Sequence, residues 1–358
     1  MEKISWWRSS VGDDEIRKVS EAISSENITQ GTVTAEFEGR LAKALKVRYA
    51  VATTSGSVAL LISLMAAGIK PGDEVIMPNR TWVATANAPM ILGAKPVLVD
   101  VVKRAPLIDP GKIEEKITKK TRIILPVHLN GRGSDMEVIN KIARRHDLIV
   151  IEDACQAMMS GKSGSYYGTL SDIGCFSLGV TKFITTGFGG VLVTNNNELN
   201  ETMRLIRTNG TYDNLRPDYK MVGCNFKFSG MLAAMGIVQL SKADKIKSHL
   251  LEVYRRYSEG LKSIKAVELI EVNIENGEVP IYVEALCKKR IELIKFLQAR
   301  NIDTRPALPN VSSVKYVNDN GNYPNSDVFA ENALFLPCGS AQPLENVDRV
   351  LKALREFD

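Results

Sequence analysis

The chain has 358 residues, a formal net charge of +5, and 44% hydrophobic against 24% charged residues. These are globular proportions, with room for a large buried core and about two domains. The small, scattered charge argues against a nucleic-acid surface and supports at most a modest preference for anionic small molecules. Five cysteines, Cys155, Cys175, Cys224, Cys287 and Cys338, lack CxxC spacing, and two lie in apolar strand-like runs, as buried thiols in a reducing compartment do. The opening MEKISWWRSS has no basic segment leading into an apolar one, and no stretch reaches about 18 uninterrupted apolar residues. A cytoplasmic protein without a membrane-spanning segment is expected.

In chain order, TTSGSVALLISL (Thr53 to Leu64) puts Ser55, Gly56 and Ser57 at the start of a helix predicted over Ser57 to Gly68 and closed by its glycine. The free N–H groups and dipole of such a start favour a phosphate, and Gly56 lets the backbone come close. Strands are predicted next at EVIMP (Glu74 to Pro78) and KPVLVDV (Lys95 to Val101); between them, in NRTWVATANA, Trp82 either stacks on a planar ring or packs in a core. TRIILPVHL (Thr121 to Leu129) reads as a strand with His128 at its end, and a helix is predicted over Asp135 to His146. Strands LIVIEDA (Leu148 to Ala154), IGCFSL (Ile173 to Leu178) and GGVLVTN (Gly189 to Asn195) come after it. These runs are apolar throughout rather than alternating, as strands covered on both faces are, so the expected fold class is α/β with a largely parallel central sheet covered by helices. The texture then turns helical from Phe228 to Leu261, followed by a strand-like VPIYVEAL (Val279 to Leu286), helices over Cys287 to Asn301 and Leu344 to Phe357, and a surface loop over Asn318 to Asp327. Residues 1–239 read as a large domain and residues 240–358 as a smaller α+β domain.

Open α/β sheets place their chemistry at the carboxyl ends of the strands. Two ends carry it here: LIVIEDACQA delivers Asp153 and, three residues on, Gln156, while IGCFSLGVTK delivers Ser177 and then Lys182. A buried carboxylate calls for a facing cation. Lys182 stands among small, apolar and hydroxyl residues with no acid near it in sequence, a setting in which an amine can form a Schiff base. Each feature alone has an ordinary structural explanation, a helix cap for Asp153 and a snorkelling surface cation for Lys182. Together, an acid for a pyridinium nitrogen, an amine for an aldehyde and an anion site form the set that pyridoxal phosphate needs.

In this order and spacing, TTSGSVAL, GDEVIMPNRTWVATANAPMILGAKPVLVDV, ILPVHLNGRGSDM, VIEDACQA and SDIGCFSLGVTKFITTGFGGVLVTNN resemble the DegT/StrS-type (DegT/DnrJ/StrS) sugar aminotransferases, pyridoxal-phosphate enzymes of the aspartate-aminotransferase fold (fold type I). GCNFKFSGMLAAMGIVQL (Gly223 to Leu240) is similar to a further segment of that family. The resemblance implies that Lys182 carries the Schiff base and shuttles a proton, that Asp153 pairs with the pyridine nitrogen, that Gln156 contacts the ring hydroxyl side and that Trp82 stacks on the ring. It also implies phosphate contacts from Gly56, Ser57 and Ser177, and from Asn225 of the partner subunit, hence a homodimer with a shared site. NITQGTVT, with Gln30, and IDTRPALP, with Arg305, look like the loops that frame the acceptor, and His128 lies on the same rim.

The reaction so implied moves an amino group from an amino acid, L-glutamate first, to a keto sugar, nucleotide-linked. The alternatives are a keto-cyclitol acceptor with glutamine or glutamate as donor, and a non-catalytic cofactor- or sugar-binding regulator of the same fold. Several positions depart from the pattern: Met158 and Met159 replace His-Gly, Phe183 an Asn, Phe188 an acid and Lys227 an Arg, which leaves the substrate pocket open. A related branch that dehydrates its sugar has His in place of the lysine, and Lys182 argues against it. GxGxxG fails at its third glycine after both Gly131 and Gly187, against a dinucleotide enzyme, and His128, His146 and His249 are too widely spaced in sequence for a metal set.

Overall fold

Helices α1 (Asp13–Ser24) and α2 (Thr32–Leu45) precede strand β1 (Tyr49–Thr53) in the computed structural model, which describes residues 2–213 and 215–358. Helices and strands then alternate through α3 (Gly56–Ala66), β2 (Glu74–Pro78), α4 (Ala84–Ile91), β3 (Lys95–Val99), β4 (Thr121–Ile124), α5 (Met136–Arg145) and β5 (Ile149–Asp153). A short hairpin of β6 (Gly161–Lys162) and β7 (Ser165–Tyr166) leads to β8 (Ile173–Ser177), β9 (Gly190–Thr194) and α6 (Asn197–Arg207). Seven strands form one sheet in the order β1-β9-β8-β5-β4-β2-β3. Its pairings are parallel except those of β9, which runs antiparallel to both β8 and β1. Strands β2 and β5 bury four of five residues and β9 all five, which is why they carry unbroken apolar runs.

The remaining elements are α7 (Gly230–Ser241), α8 (Ala243–Leu261), β10 (Glu268–Leu269), β11 (Val283–Leu286), α9 (Arg290–Gln298), β12 (Arg305–Pro306), α10 (Pro324–Asn332), β13 (Ala333–Leu336) and α11 (Leu344–Phe357). Their strands make a second, all-antiparallel sheet in the order β10-β11-β13-β12. The beginning of the chain returns to this layer, where Ile4 bridges Ile302 and Trp7 bridges Cys338. Among the described residues no helix is long and apolar enough to cross a membrane.

Proline sets several boundaries. The strand expected over Thr121 to Leu129 stops at Ile124, because Pro126 cannot donate a ladder bond; beyond it Val127 makes a single bridge to Asp153. Pro280 likewise delays the strand expected from Val279 until Val283. The loop expected over Asn318 to Asp327 is already helical from Pro324, whose missing N–H suits a first turn. There Ser326 is buried, donating its N–H and hydroxyl to Asp100 at 2.9 and 2.7 Å.

Helix α1 is tied to the body of the protein through one buried acid. Glu15 accepts from Lys242 Nζ (2.9 Å), Gln239 Nε2 (2.8 Å) and the Gly12 N–H (2.9 Å). Gln239 in turn accepts the Thr185 N–H from the loop bearing Lys182, at 3.2 Å. Burial pushes the Glu15 carboxyl up, but these donors outweigh it and hold it below its ordinary 4.5. A depressed folded-state pKa contributes stability that is full above the unfolded value and is lost as pH falls through the folded one. Glu15→Gln is therefore expected to lower Tm at neutral pH, with the gap to the parent closing as pH is taken below 4.5. A Tm series across pH checks this; a gap that stays constant refutes it.

Candidate active site

Strands β5 and β8 lie side by side with Asp153 opposite Cys175, so their carboxyl ends bring Asp153 and Ser177 to one edge. Strand β9 begins there, with Gly190 paired to Ser177 on one side and Thr53 on the other, which draws in the turn between β1 and α3. The Ser55 hydroxyl caps α3 by accepting the Val58 N–H at 3.1 Å, and the N–H groups of Gly56 and Ser57 have no partner within the helix. A Cβ on Gly56 would stand 2.9 Å from Ser177 Cβ and 3.0 Å from Cys155 Sγ, and one on Gly190 would stand 2.2 Å from the Ser55 carbonyl oxygen. The backbone passes too closely here for a side chain. Ser177 Oγ accepts the Gly179 N–H at 3.3 Å and keeps its own hydrogen to donate.

Asp153 is buried, and both its oxygens are engaged. Oδ2 accepts from Thr85 Oγ1 (2.8 Å) and Oδ1 from the Cys155 N–H (3.1 Å). Thr85 commits its only hydrogen to Asp153, so Thr81 Oγ1 is the donor in the 2.7 Å pair between the two threonines. Among the described residues the partners of this buried acid are a hydroxyl and an amide, because the carboxylate stands at a strand end where backbone N–H groups are free to reach it. Burial and the Asp153 charge push the Cys155 thiol well up. Lys182 keeps to the same edge: a Cβ on Gly179 would stand 3.5 Å from Ser177 Oγ and 3.9 Å from Lys182 Cγ.

Lys182 is half-buried in the loop joining β8 to β9. Leu178 N–H donates to Gly189 O (2.8 Å), Thr186 N–H to Leu178 O (3.0 Å) and Lys182 N–H to Gly179 O (3.0 Å). Phe183 and Ile184, directly after the lysine, are buried and anchor the loop. Met158 and Met159 are buried as well, so three of the departing positions serve the core; Met159 has φ 59°, a backbone shape that glycine takes more readily. Phe188, by contrast, is 77% exposed.

The other residues singled out in the sequence divide. Gln156 Oε1 accepts the Asn130 N–H at 3.1 Å, which leaves its NH2 free to donate. Trp82 is 56% exposed ahead of α4, and Ser57 and Asn225 are exposed, the latter bridging Thr208. Among the described residues the Gln30 side-chain oxygen is buried without a partner. Arg305 is exposed on β12 with its guanidinium 4.7 Å from the Trp6 ring, and Lys227 bridges Thr53. His128 does not meet the expectation of a substrate contact. It is fully buried, its Nδ1 accepts the Ser134 N–H (3.1 Å), its Nε2 donates to Glu152 (2.8 Å), and its ring stacks on Tyr167. No ring atom is left for a ligand. Sequence reasoning passed over Thr85 and Asn130; Thr81 and Thr85, one helical turn apart in NRTWVATANA, were the available signal for the first.

The model of the DegT/DnrJ/EryC1/StrS aminotransferase family matches residues 9–355. The chain belongs to this family. Among curated relatives, the chain is 39% identical over 282 residues to a GDP-perosamine synthase of Caulobacter vibrioides (77% of this chain, 76% of the relative). It is 32% identical to a GDP-perosamine synthase of Escherichia coli over 100% of this chain and 99% of the relative. Among solved structures, DesV of S. venezuelae in complex with a ketimine intermediate superposes with a TM-score of 0.93 at 30% identity, covering 100% of this chain and 99% of that one. As a DegT/DnrJ/EryC1/StrS protein the chain is a pyridoxal-phosphate-dependent aminotransferase of fold type I. Its residues fit that cofactor: the glycine-lined start of α3 suits a phosphate, Asp153 is an acid fixed by neutral donors, and Lys182 is an amine at the same sheet edge.

Proposed function

We propose that the chain moves an amino group from an amino acid, L-glutamate in preference to L-glutamine, to the keto group of a nucleotide-linked sugar, as a cytoplasmic homodimer with a shared site. The observation that carries the amino transfer is the meeting of Asp153, Lys182 and the start of α3 at one sheet edge, where Gly56 lies against Ser177 and Gly179 against both Ser177 and Lys182. The acceptor class is supported by the names of the two perosamine synthases. Bound pyridoxal phosphate supplies a carbonyl to hold the amino group and an electron-withdrawing ring. Gly56, Ser57 and Ser177 hold its phosphate, with Asn225 of the partner subunit as a further contact. Trp82 covers the ring, and Gln156 directs its free NH2 at the ring hydroxyl side. Asp153, fixed by Thr85 and Cys155, holds a proton on the ring nitrogen, and Lys182 moves a proton at the substrate Cα. Gln30, from the turn between α1 and α2, and Arg305, on β12, face the acceptor.

The homodimer is supported by the exposed Val180, Phe188, Tyr212, Tyr219 and Val222, the last three in the segment that also carries Asn225. Five free cysteines support a reducing compartment. We place the division between the two domains at residues 239 and 240.

The test is the absorption spectrum of the purified protein with pyridoxal phosphate, followed as L-glutamate and then L-glutamine are added. Conversion of the cofactor to its amine form by glutamate is expected, and borohydride trapping with mass spectrometry is expected to find the cofactor on Lys182. Conversion by glutamine alone shifts the assignment toward a keto-cyclitol acceptor. Conversion by neither rejects the donor assignment and favours a binding protein of the same fold.

A further inference from the structure

Tyr282 and Glu284 lie two residues apart at the entry to β11, a spacing that puts both side chains on one side of an extended chain. Both are buried, and both reach out of the C-terminal sheet to the edge where the site lies. The Tyr282 hydroxyl donates to the Thr181 carbonyl (3.0 Å), and its one hydrogen is thereby used, so the 2.8 Å contact with Thr181 Oγ1 has the threonine as donor. The residue before that is held as well, with Trp7 Nε1–H donating to the Val180 carbonyl at 3.2 Å. Trp6, Trp7 and Phe335 surround the Tyr282 ring with centroids 5.9, 5.4 and 5.2 Å away. The two peptide carbonyls that precede Lys182 are therefore fixed by aromatic side chains from the N-terminal segment and the C-terminal sheet.

Glu284 acts on the other side of the site. Its Oε2 accepts from Asn130 Nδ2 (2.6 Å) and Arg132 Nη1 (2.9 Å), and Arg132 is fixed further by the carbonyls of Glu271 and Ile270, each at 2.8 Å. Asn130 has φ 55° and presents its N–H to Gln156.

We infer that Tyr282 and Glu284 are positioning residues, which set Lys182 and Gln156 relative to one another by holding Thr181 and Asn130 from a single strand. The inference rests on the proposed roles of Lys182 and Gln156. It adds that the C-terminal sheet, not the β8–β9 loop alone, determines where the lysine amine stands. Removal of one hydroxyl hydrogen bond is worth a factor of about three to ten, and that is the size of effect to look for.

The experiment compares the full-length parent with Tyr282→Phe, which keeps the ring in its aromatic surround, and with Asn130→Gly, which keeps the left-handed backbone and deletes the amide held by Glu284. In cofactor-free protein, the rate of Lys182 acylation by acetic anhydride is followed by mass spectrometry across pH, with Tm as the control for folding. Tyr282→Phe is expected to change that rate about three- to tenfold while other lysines label as in the parent and Tm falls by no more than about a few degrees, as the loss of one hydrogen bond allows. Asn130→Gly is expected to leave Lys182 labelling unchanged and to shift the absorption maximum of bound pyridoxal phosphate. Unchanged labelling in Tyr282→Phe, or an unchanged spectrum in Asn130→Gly, overturns the corresponding half of the inference. If the parent itself captures no cofactor at Lys182, the reading of the site fails, and the labelling comparison still decides whether Tyr282 positions the lysine.

Discussion

Exchanging Asp153 for asparagine is expected to cut kcat/KM by about 10³-fold while Tm stays near that of the parent. The fold survives because the surrounding hydrogen bonds can reverse. With asparagine, the side-chain carbonyl still accepts the Cys155 N–H, and its NH2 meets Thr85 Oγ1, which then accepts and passes its own hydrogen to Thr81. The reversal leaves the Thr81 hydroxyl hydrogen and one amide hydrogen to find new acceptors, a cost of about 1 kcal/mol that moves Tm only slightly. The negative charge is lost, however, and with it the group that holds a proton on the ring nitrogen and so stabilises electron density drawn from the substrate Cα. Steady-state kinetics at saturating pyridoxal phosphate, with Tm measured alongside, check the prediction. A loss of less than tenfold would show that Asp153 is a structural cap rather than a cofactor partner.

The largest effect on stability is expected at Glu38 in α2. This buried carboxylate accepts the Ala52 N–H (2.8 Å), Arg204 Nη1 (2.9 Å) and Arg207 Nη1 (2.5 Å), and so joins α2, β1 and α6. Burial pulls the Arg207 guanidinium down from its ordinary range against the favourable charge of Glu38. Glu38→Ala leaves that cation in the interior without its acid, at a cost of about 3–5 kcal/mol, seen as a fall in the urea midpoint. Replacing Arg207 with methionine in the same chain is expected to recover much of the loss, because removing both partners of a buried pair costs less than removing one. A double variant no more stable than Glu38→Ala would assign the loss to the Ala52 contact and to Arg204 instead.

Asp153, Ser177 and Lys182 could be read from the sequence because each stands at or just after the end of an unbroken apolar run, and the carboxyl end of a buried strand lies on the sheet's working edge. The same local signal misled at His128. It too ends an apolar run, but Ser134, six residues on, and Glu152, 24 residues on, occupy its two nitrogens, and no feature of HLNGR records that. Strand β1 escaped notice because YAVAT has alanines where its neighbours have valine or isoleucine, a weak signal without its partner β9. The hold of Tyr282 on Thr181 spans 101 residues, and that of Trp7 on Val180 spans 173. Contacts of that range leave no periodicity in the chain. They arise only once both sheets are assembled, which is why the strand ends were legible and the parts that aim them were not.

The reversed direction of β9 bears on how an enzyme of this build can change. Because β9 runs back beside β8, the loop that carries Lys182 leaves and re-enters the sheet at paired positions, Ser177 and Gly190, about 5 Å apart. A parallel successor would need a long crossover, and the path after the lysine would then be tied to a helix elsewhere on the sheet. As built, the loop is a graft with both roots fixed in adjacent rows of the same fabric. Phe188, exposed beside the point where the chain re-enters the sheet, can be exchanged without disturbing the strands beneath, whereas the middle of the loop, with Lys182 and the buried Phe183 and Ile184, stays held. Divergence toward new acceptors can proceed there while the older chemistry stays in place.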